Sequence, residues 1–317
     1  MSDAPTLFLY CRTGLRLALG GLCCVLLMAG ASAAGIAVVY PDMAEPARSV
    51  FAKILSGIEA QAGKLPSYQV GSGFNAQDFA AEIRRQEVKV VIALGRNGLK
   101  AAAGLDPAVR LVVGGVVSAP PEADARGAAV YSLAPDPALL FQRLKRFIPA
   151  ARRVFVVYDP RQNDWLFRQA QDKARSQGLE LVGREAADLR GAVQHYQAIL
   201  AGADGKTDSL WLMQDSTTVD EATVLPLVLQ EAWERSLPFF SSSVAHVKRG
   251  ALFSLFPNNV ELGRSLAQNA QAGIGTAVRA GVVPLKEVLV AVNVRTAGHL
   301  GIQLDAKQQF DLVFPEP

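Results

Sequence analysis

Asp215 belongs to a cluster of polar side chains that directly follows an apolar segment. The segment is 209–213; Gln214 precedes the aspartate, and Ser216 and Thr217 follow it. A bounded apolar run with a helical pattern behind it is typical of a buried parallel strand. Ligands of open α/β sheets bind just beyond the carboxyl ends of such strands. The cluster therefore stands where a ligand group would be held, and it is equally typical of a helix N-cap.

Polar and aromatic residues occupy the corresponding position after other predicted strands. The rings of Tyr40, Tyr158 and Trp165 would offer a ligand a large contact area at low entropic cost. A tight turn into a helix at 95–98 would leave free backbone N–H groups at the sheet edge. The predicted ligand-binding residues are Tyr40, Pro41, Asp42, Gly95, Asn97, Ser118, Asn163, Trp165, Asp215, Ser216, Thr217 and Ser242.

Several kinds of catalytic and metal site find no support in the sequence. All three cysteines lie within the first 34 residues, so the rest of the chain has no thiol for catalysis or for a thiolate metal site. The three histidines lack a metal-binding spacing, and the segment 95–98 lacks the glycine spacing of a dinucleotide site. We predict no metal, no cofactor and no catalytic residue.

A Ser/His/Asp triad stays open, because such residues meet in space and not in sequence. No Gly-x-Ser-x-Gly elbow is present, and the segment 241–243 is interpreted as a loop or an N-cap. An enzyme on this scaffold would use Asp215 or Asp42 as a base.

The first 34 residues resemble a secretory signal. Arg12 and Arg16 form a basic region, 17–28 is apolar, and small residues at 31–33 would allow cleavage after about Ala33. The apolar run is short for a membrane span of about 20 residues. We predict an exported, periplasmic protein, with a retained anchor as the alternative.

The remaining chain alternates between strand and helix patterns, which is typical of parallel sheets covered by helices. Helices are predicted over 46–62, 136–148, 165–177 and 258–280, a strand over 284–292, and a loop over 159–164. Two such series in a chain of 317 residues indicate two Rossmann-like lobes. We predict lobe one at 35–130 plus 256–284 and lobe two at 131–255 plus 285–317, joined by about three crossovers. The net charge of +3 is spread without a basic stripe, so no nucleic-acid partner is expected.

Most of residues 36–314 resemble a known family, and the resemblance is most specific in about the last seventy residues. The segments that carry the resemblance are 250–254, Asn258–Arg264 with its Glu-Leu-Gly-Arg sequence, 292–297 and 300–302. They are similar to the ABC-transporter substrate-binding proteins of the tryptophan/tyrosine type, which have the type I periplasmic-binding-protein fold. Gly263 is expected to allow close helix packing, and Arg264 to form an ion pair at the surface.

The resemblance implies that the chain captures a small molecule, such as an amino acid or related metabolite, between two lobes. Asp215 would then accept hydrogen bonds from a ligand amine, and Asn163 and Ser118 would lie in ligand loops. The implied partner is an inner-membrane ABC permease, and the alternative is a sensor or an outer-membrane receptor system. The segment 118–121 departs from the family pattern, which leaves a sensing or interaction module without a transport role as the alternative.

Overall fold

A computed structural model describes residues 35–118, 127–274, 280–304 and 309–315. The predicted leader and its three cysteines lie outside these ranges. Within them, no helix has both the length and the apolar character needed to cross a membrane.

The first of two sheets is parallel throughout and has six strands in the order β11-β5-β4-β3-β1-β2. Its strands are β1 Ile36–Pro41, β2 Ser67–Val70, β3 Val90–Leu94, β4 Arg110–Val116, β5 Ala129–Pro135 and β11 Gly281–Leu285. The interior strands β1 and β3 are almost entirely buried because helices cover both faces of the sheet.

The second sheet has seven strands in the order β13-β12-β10-β9-β8-β6-β7. Only the pair β10–β12 is antiparallel. Its strands are β6 Arg153–Tyr158, β7 Glu180–Glu185, β8 Asp208–Leu212, β9 Phe239–Ser241, β10 Phe253–Pro257, β12 Val288–Asn293 and β13 Leu312–Phe314.

Ten described helices pack on these sheets. They are α1 Ala47–Ala62, α2 Ala76–Arg85, α3 Gly95–Ala103, α4 Pro137–Phe147, α5 Pro160–Arg175, α6 Leu189–Gly202, α7 Val224–Glu234, α8 Val244–Arg249, α9 Asn259–Gly273 and α10 Val294–His299. Helices α4 and α5 begin alike: an aspartate, Asp136 or Asp159, caps the first turn, and a proline follows it. This arrangement satisfies an otherwise free N–H group and presets the first helical dihedral angle.

The chain passes between the two sheets three times, after β5, after β10 and after β11. The passages lie side by side. Asp136 N–H donates to the Leu285 carbonyl at 2.8 Å, and Asn258 N–H donates to the Glu287 carbonyl at 2.9 Å. Three short hydrogen-bonded connections are the expected form of a hinge between two rigid bodies. The two-lobed α/β fold predicted from the sequence is therefore confirmed.

Helices α1 and α9 cross with their backbones in close contact. A Cβ atom on Gly57 would lie 1.9 Å from the Val260 carbonyl oxygen, and one on Gly263 would lie 2.0 Å from that of Ile54. The close packing expected at Gly263 is thus present, and Arg264 pairs with Glu261 at 3.7 Å on the surface. Helix α9 follows β10 of the second sheet and precedes β11 of the first, so this contact attaches the second passage to lobe one.

Two predictions about local structure are wrong. The single strand expected over 284–292 is two strands, β11 and β12, which belong to different sheets. The loop expected over 159–164 is the first turns of α5, because Asp159 caps a helix that starts at Pro160. The third passage has only two residues between its apolar flanks, so no sequence pattern divides the two strands. A proline that begins a helix has the same local pattern as one that follows the end of a strand.

Candidate ligand-binding cleft

The carboxyl edges of the two sheets meet at the same seam. Strand β5 leaves the first sheet at its carboxyl end, Pro135, and β10 leaves the second at Pro257. Pro135 pairs with Leu285, and Pro257 pairs with Val288, so both exits lie beside the third passage. Ligands of open α/β sheets bind at such edges. We call the space between the two edges the cleft.

Asp215 lies on the lobe-two side, behind the surface of the cleft. Its side chain is buried, with 4% of the residue exposed. One carboxylate oxygen accepts from the Asp159 N–H at 2.7 Å and from the Asn163 amide at 2.9 Å. The other accepts from the N–H groups of Thr217 and Thr218 at 2.9 and 3.0 Å. Asp215 therefore fastens the end of β8 to the start of α5 and caps its own turn.

Exposed hydroxyl and amide groups lie in front of Asp215. The Ser216 hydroxyl donates to Gln162 Oε1 at 3.1 Å, and Gln162 Nε2 donates to Thr217 Oγ1 at 2.8 Å. The Thr217 hydroxyl in turn donates to Asp159 Oδ2 at 2.9 Å. Ser216 and Gln214 are exposed, so this chain of hydrogen bonds gives the cleft an ordered polar wall.

Asp159 anchors this wall. Its buried carboxylate accepts several hydrogen bonds from Arg161, whose Nη2 lies 2.6 Å from Oδ2. The Arg161 guanidinium holds the pKa of Asp159 well below its usual range. A lowered pKa in the folded state means that this carboxylate stabilises the fold above pH ~4 and loses that effect as the pH falls.

Asn163 and Trp165 lie on different faces of α5. Asn163 is buried, and its amide donates to Asp215, so it faces the sheet. Gln169, one turn beyond Trp165, donates to the Val282 carbonyl of lobe one at 3.4 Å. Residues four apart share a helix face, so Trp165 lies near the seam. Its indole nitrogen is buried without a hydrogen-bond partner in the described structure.

Tyr158 does not offer a ring face to the cleft, contrary to expectation. Its ring stacks on Phe167 with centroids 4.4 Å apart, and its hydroxyl donates to Glu185 at 3.2 Å. Burial and the neighbouring carboxylate raise its pKa to about 12.

On the lobe-one side, Pro41 and Gly95 come together at the ends of β1 and β3. A Cβ atom on Gly95 would meet the Phe51 ring at 3.1 Å and Pro41 at 3.4 Å. Lack of space for a side chain is one reason for glycine at this position. The positive φ of 66° at Gly95 is a second, because other residues rarely adopt it. Tyr40 is half-buried against the core, whereas Asp42 is exposed and accepts from Gln69 at 2.9 Å.

Asn97 and Arg96 are exposed in the first turn of α3, which no side chain caps. The segment 95–98 is thus a helix start and not a separate turn. Ser118 is half-buried beyond β4, next to Val117, which packs against the lobe-two core. The structure thereby brings the predicted residues to two edges, one in each lobe.

Ser242 belongs to the turn between β9 and α8, and its N–H donates to the Leu212 carbonyl at 3.3 Å. This bond places the turn beside the loop that carries Asp215. Sequence reasoning missed two residues that hold it, His246 and Glu221, because no local pattern shows that they approach Ser241. It also gave no role to Gln162 and Arg161, whose helical placement was not recognised.

A separate cavity of about 530 Å³ lies at the opposite edge of the second sheet, near Trp233 and His299. It lies beyond the amino ends of the parallel strands and contains none of the predicted ligand-binding residues. Among the described residues, no group of three or more His, Cys, Asp or Glu side chains is placed to hold a metal ion.

Residues 138–308, more than half of the chain, match the protein family described as ABC transporter substrate binding protein. No curated protein sequence matches the chain.

Three solved structures share the fold at low sequence identity. A ligand-free, open substrate-binding protein with adhesive properties from Clostridium difficile has a TM-score of 0.60 and 17% identity, over 88% of this chain and 98% of that one. A conserved domain protein from Vibrio cholerae has a TM-score of 0.53 and 18% identity, over 88% and 99%. An ABC domain in complex with L-Trp from Streptococcus pneumoniae has a TM-score of 0.52 and 14% identity, over 88% and 100%. At these identities the likeness establishes the fold, which is similar to that of type I periplasmic binding proteins.

Proposed function

Because this chain belongs to the ABC transporter substrate-binding protein family, we propose that it is a periplasmic protein that captures a small polar solute in its cleft. It would deliver that solute to an inner-membrane ABC permease. The predicted leader, cleaved after about Ala33, would export it.

The arrangement of the two sheets and the passages between them supports this proposal most strongly. The chain places polar loops at the carboxyl edges of two sheets and joins those sheets by three adjacent passages. A solute that contacts both edges would favour the closed arrangement by the difference between its affinities for the closed and open forms.

We assign direct solute contact to the exposed and half-exposed residues of the two edges. These are Tyr40, Asp42, Asn97, Ser118, Trp165, Ser216, Thr217 and Ser242. Asp215 and Asn163 would act behind them as supports, because their hydrogen-bonding groups are already used within the protein. Pro41 and Gly95 would shape the lobe-one edge.

The solute itself is a small molecule of the amino-acid or related class. The L-Trp complex of the pneumococcal structure supports this choice at the level of fold only. The mixture of hydroxyls, amides and the Asp42 carboxylate suits a ligand that both donates and accepts hydrogen bonds.

Thermal unfolding in the presence of the twenty L-amino acids and a set of small metabolites tests the proposal. A solute present at 100 times its dissociation constant adds about 2.7 kcal/mol to the free energy of unfolding. Ser216→Ala should reduce that increment, because it removes an exposed hydroxyl of the cleft wall. Ser176→Ala, which removes an exposed hydroxyl at the end of α5, is the matched control. The absence of a shift with every solute would refute the capture of such solutes.

A further inference from the structure

His246 lies buried between two loops of lobe two. It is 4% exposed and belongs to α8. Its Nδ1 is 2.7 Å from the Ser241 hydroxyl oxygen, and its Nε2 is 2.7 Å from Glu221 Oε1. Both ring nitrogens therefore have a partner, and each partner lies on a different connection at the cleft edge.

The partners fix which nitrogen of the neutral ring carries hydrogen. An ionised carboxylate only accepts hydrogen bonds, so Nε2–H must donate to Glu221. Nδ1 is then an acceptor, and the Ser241 hydroxyl must donate to it. The Ser241 oxygen accepts in turn from the Ser243 N–H at 3.1 Å. The hydrogen bonds thus run in one direction, from Ser243 through Ser241 and His246 to Glu221.

The surroundings leave Glu221 as the acid that sets this direction. Strands β9, β10 and β12 pack against α8, and none of them contains a titratable side chain. Arg249, on α8 itself, pairs with Glu221 at 3.1 Å. Asp220 accepts from the N–H groups of Ala222 and Thr223 in its own turn.

The two connections are the ones that carry the lobe-two residues of the cleft. Glu221 belongs to the loop after β8, which also contains Asp215, Ser216 and Thr217. Ser241 is the last residue of β9 and directly precedes the turn that contains Ser242. Ser241 is only 1% exposed, so its hydroxyl orders this turn from behind and is not presented to a solute.

We propose that His246 is a positioning residue that couples these two loops, and that Glu221 sets the direction of its hydrogen bonds. The solute-binding part of this inference rests on the proposed function. The coupling itself is a property of the protein without solute. Removal of the Glu221 carboxylate, which accepts from His246, should loosen the turn at 241–243. Removal of the His246 side chain's link to Glu221 should loosen the loop at 215–218.

Amide hydrogen exchange in the solute-free protein tests the coupling. For each variant, the exchange rate is measured in the loop that does not contain the substituted residue. Glu221→Ala should speed exchange at Ser242 and Ser243 by about tenfold, whereas Glu221→Gln, which keeps an acceptor oxygen, should change it by less than about threefold. His246→Asn keeps an acceptor for Ser241 and removes the link to Glu221. It should therefore speed exchange at Thr217 and Thr218 by about tenfold.

Glu231→Ala is the matched control. Glu231 is also paired with an arginine, Arg235 at 3.1 Å, but lies in α7 away from both loops. Nitrogen-15 NMR of the imidazole should show hydrogen on Nε2 and none on Nδ1 in the neutral ring. Unchanged exchange in the opposite loop for both Glu221→Ala and His246→Asn, or the reverse tautomer, would overturn the coupling.

Titration with L-tryptophan separates this inference from the proposed function. If the wild-type protein binds it, Glu221→Ala should weaken binding about tenfold, which corresponds to ~1.4 kcal/mol. Equal affinity in the two proteins would overturn the link between coupling and binding. If L-tryptophan and every other amino acid leave the wild-type protein unaffected, the proposed ligand class fails, while the exchange result still decides the coupling.

Discussion

At the scale of single residues, Asp215 illustrates how an acidic side chain at the carboxyl edge of a sheet serves the fold. Four donors of the protein surround its carboxylate, and three of them belong to the buried residues Asp159, Asn163 and Thr218. A buried donor that loses its acceptor has been removed from water without gaining a hydrogen bond in the protein, which destabilises the fold. The carboxylate therefore determines where the exposed Ser216 and Thr217 lie.

We expect Asp215→Ala to lower the free energy of unfolding by about 3 kcal/mol, because it leaves several buried hydrogen-bond donors without an acceptor. Urea denaturation would measure the change. Asp172→Ala, at an exposed carboxylate paired with Arg175, should change stability by less than about 0.5 kcal/mol. Full stability of Asp215→Ala combined with loss of solute binding would instead assign the carboxylate to direct contact.

Sequence reasoning identified Asp215 but could not choose between its two roles. An aspartate followed by hydroxyl residues fits an N-cap and a ligand loop equally well. The choice depends on Asp159 and Asn163, more than fifty residues away in the sequence, which no local pattern connects to it. The same limit hid Glu221 and His246.

At the scale of elements, the contact between α1 and α9 fixes the second passage to lobe one. Gly57 and Gly263 face each other there, and each has no room for a Cβ atom. Close helix contact is the reason for a glycine inside a helix, where it would otherwise cost about 1 kcal/mol relative to alanine.

Gly263→Ala should destabilise the protein by about 3 kcal/mol, because the added methyl group would overlap the Ile54 carbonyl and push the helices apart. Gly298→Ala, in α10 with no neighbouring atom within 4 Å, should be neutral or stabilising by up to about 1 kcal/mol. Thermal unfolding of both variants provides the comparison. Equal melting temperatures would show that the two helices separate at little cost.

The sequence predicted most elements, because apolar runs and helical spacing decide them locally. It failed where the tertiary structure decides. Strands β11 and β12 are separated in sequence only by Lys286 and Glu287, but they pair with β5 and β10 in different sheets. The short helices α8 and α10 follow their strands too closely for a helical period to appear.

At the scale of the whole molecule, three hydrogen-bonded passages join two lobes whose carboxyl sheet edges share one seam. Among the described residues, contacts between the lobes outside these passages include Gln169 to Val282 and Val117 to the lobe-two core. Relative motion of the lobes is the expected consequence, and closure on a solute is its use in the proposed function.

The most direct test of the account is hydrogen exchange of the whole protein with and without a stabilising solute. Binding between the lobes predicts slower exchange at both carboxyl edges, in 95–98 and 116–118 of lobe one and in 214–217 and 241–243 of lobe two. Backbone amides that line the cavity near Trp233 should exchange at the same rate with and without the solute. Protection confined to one lobe, or found at the Trp233 cavity and absent from the cleft, would contradict capture of a solute between the two sheets.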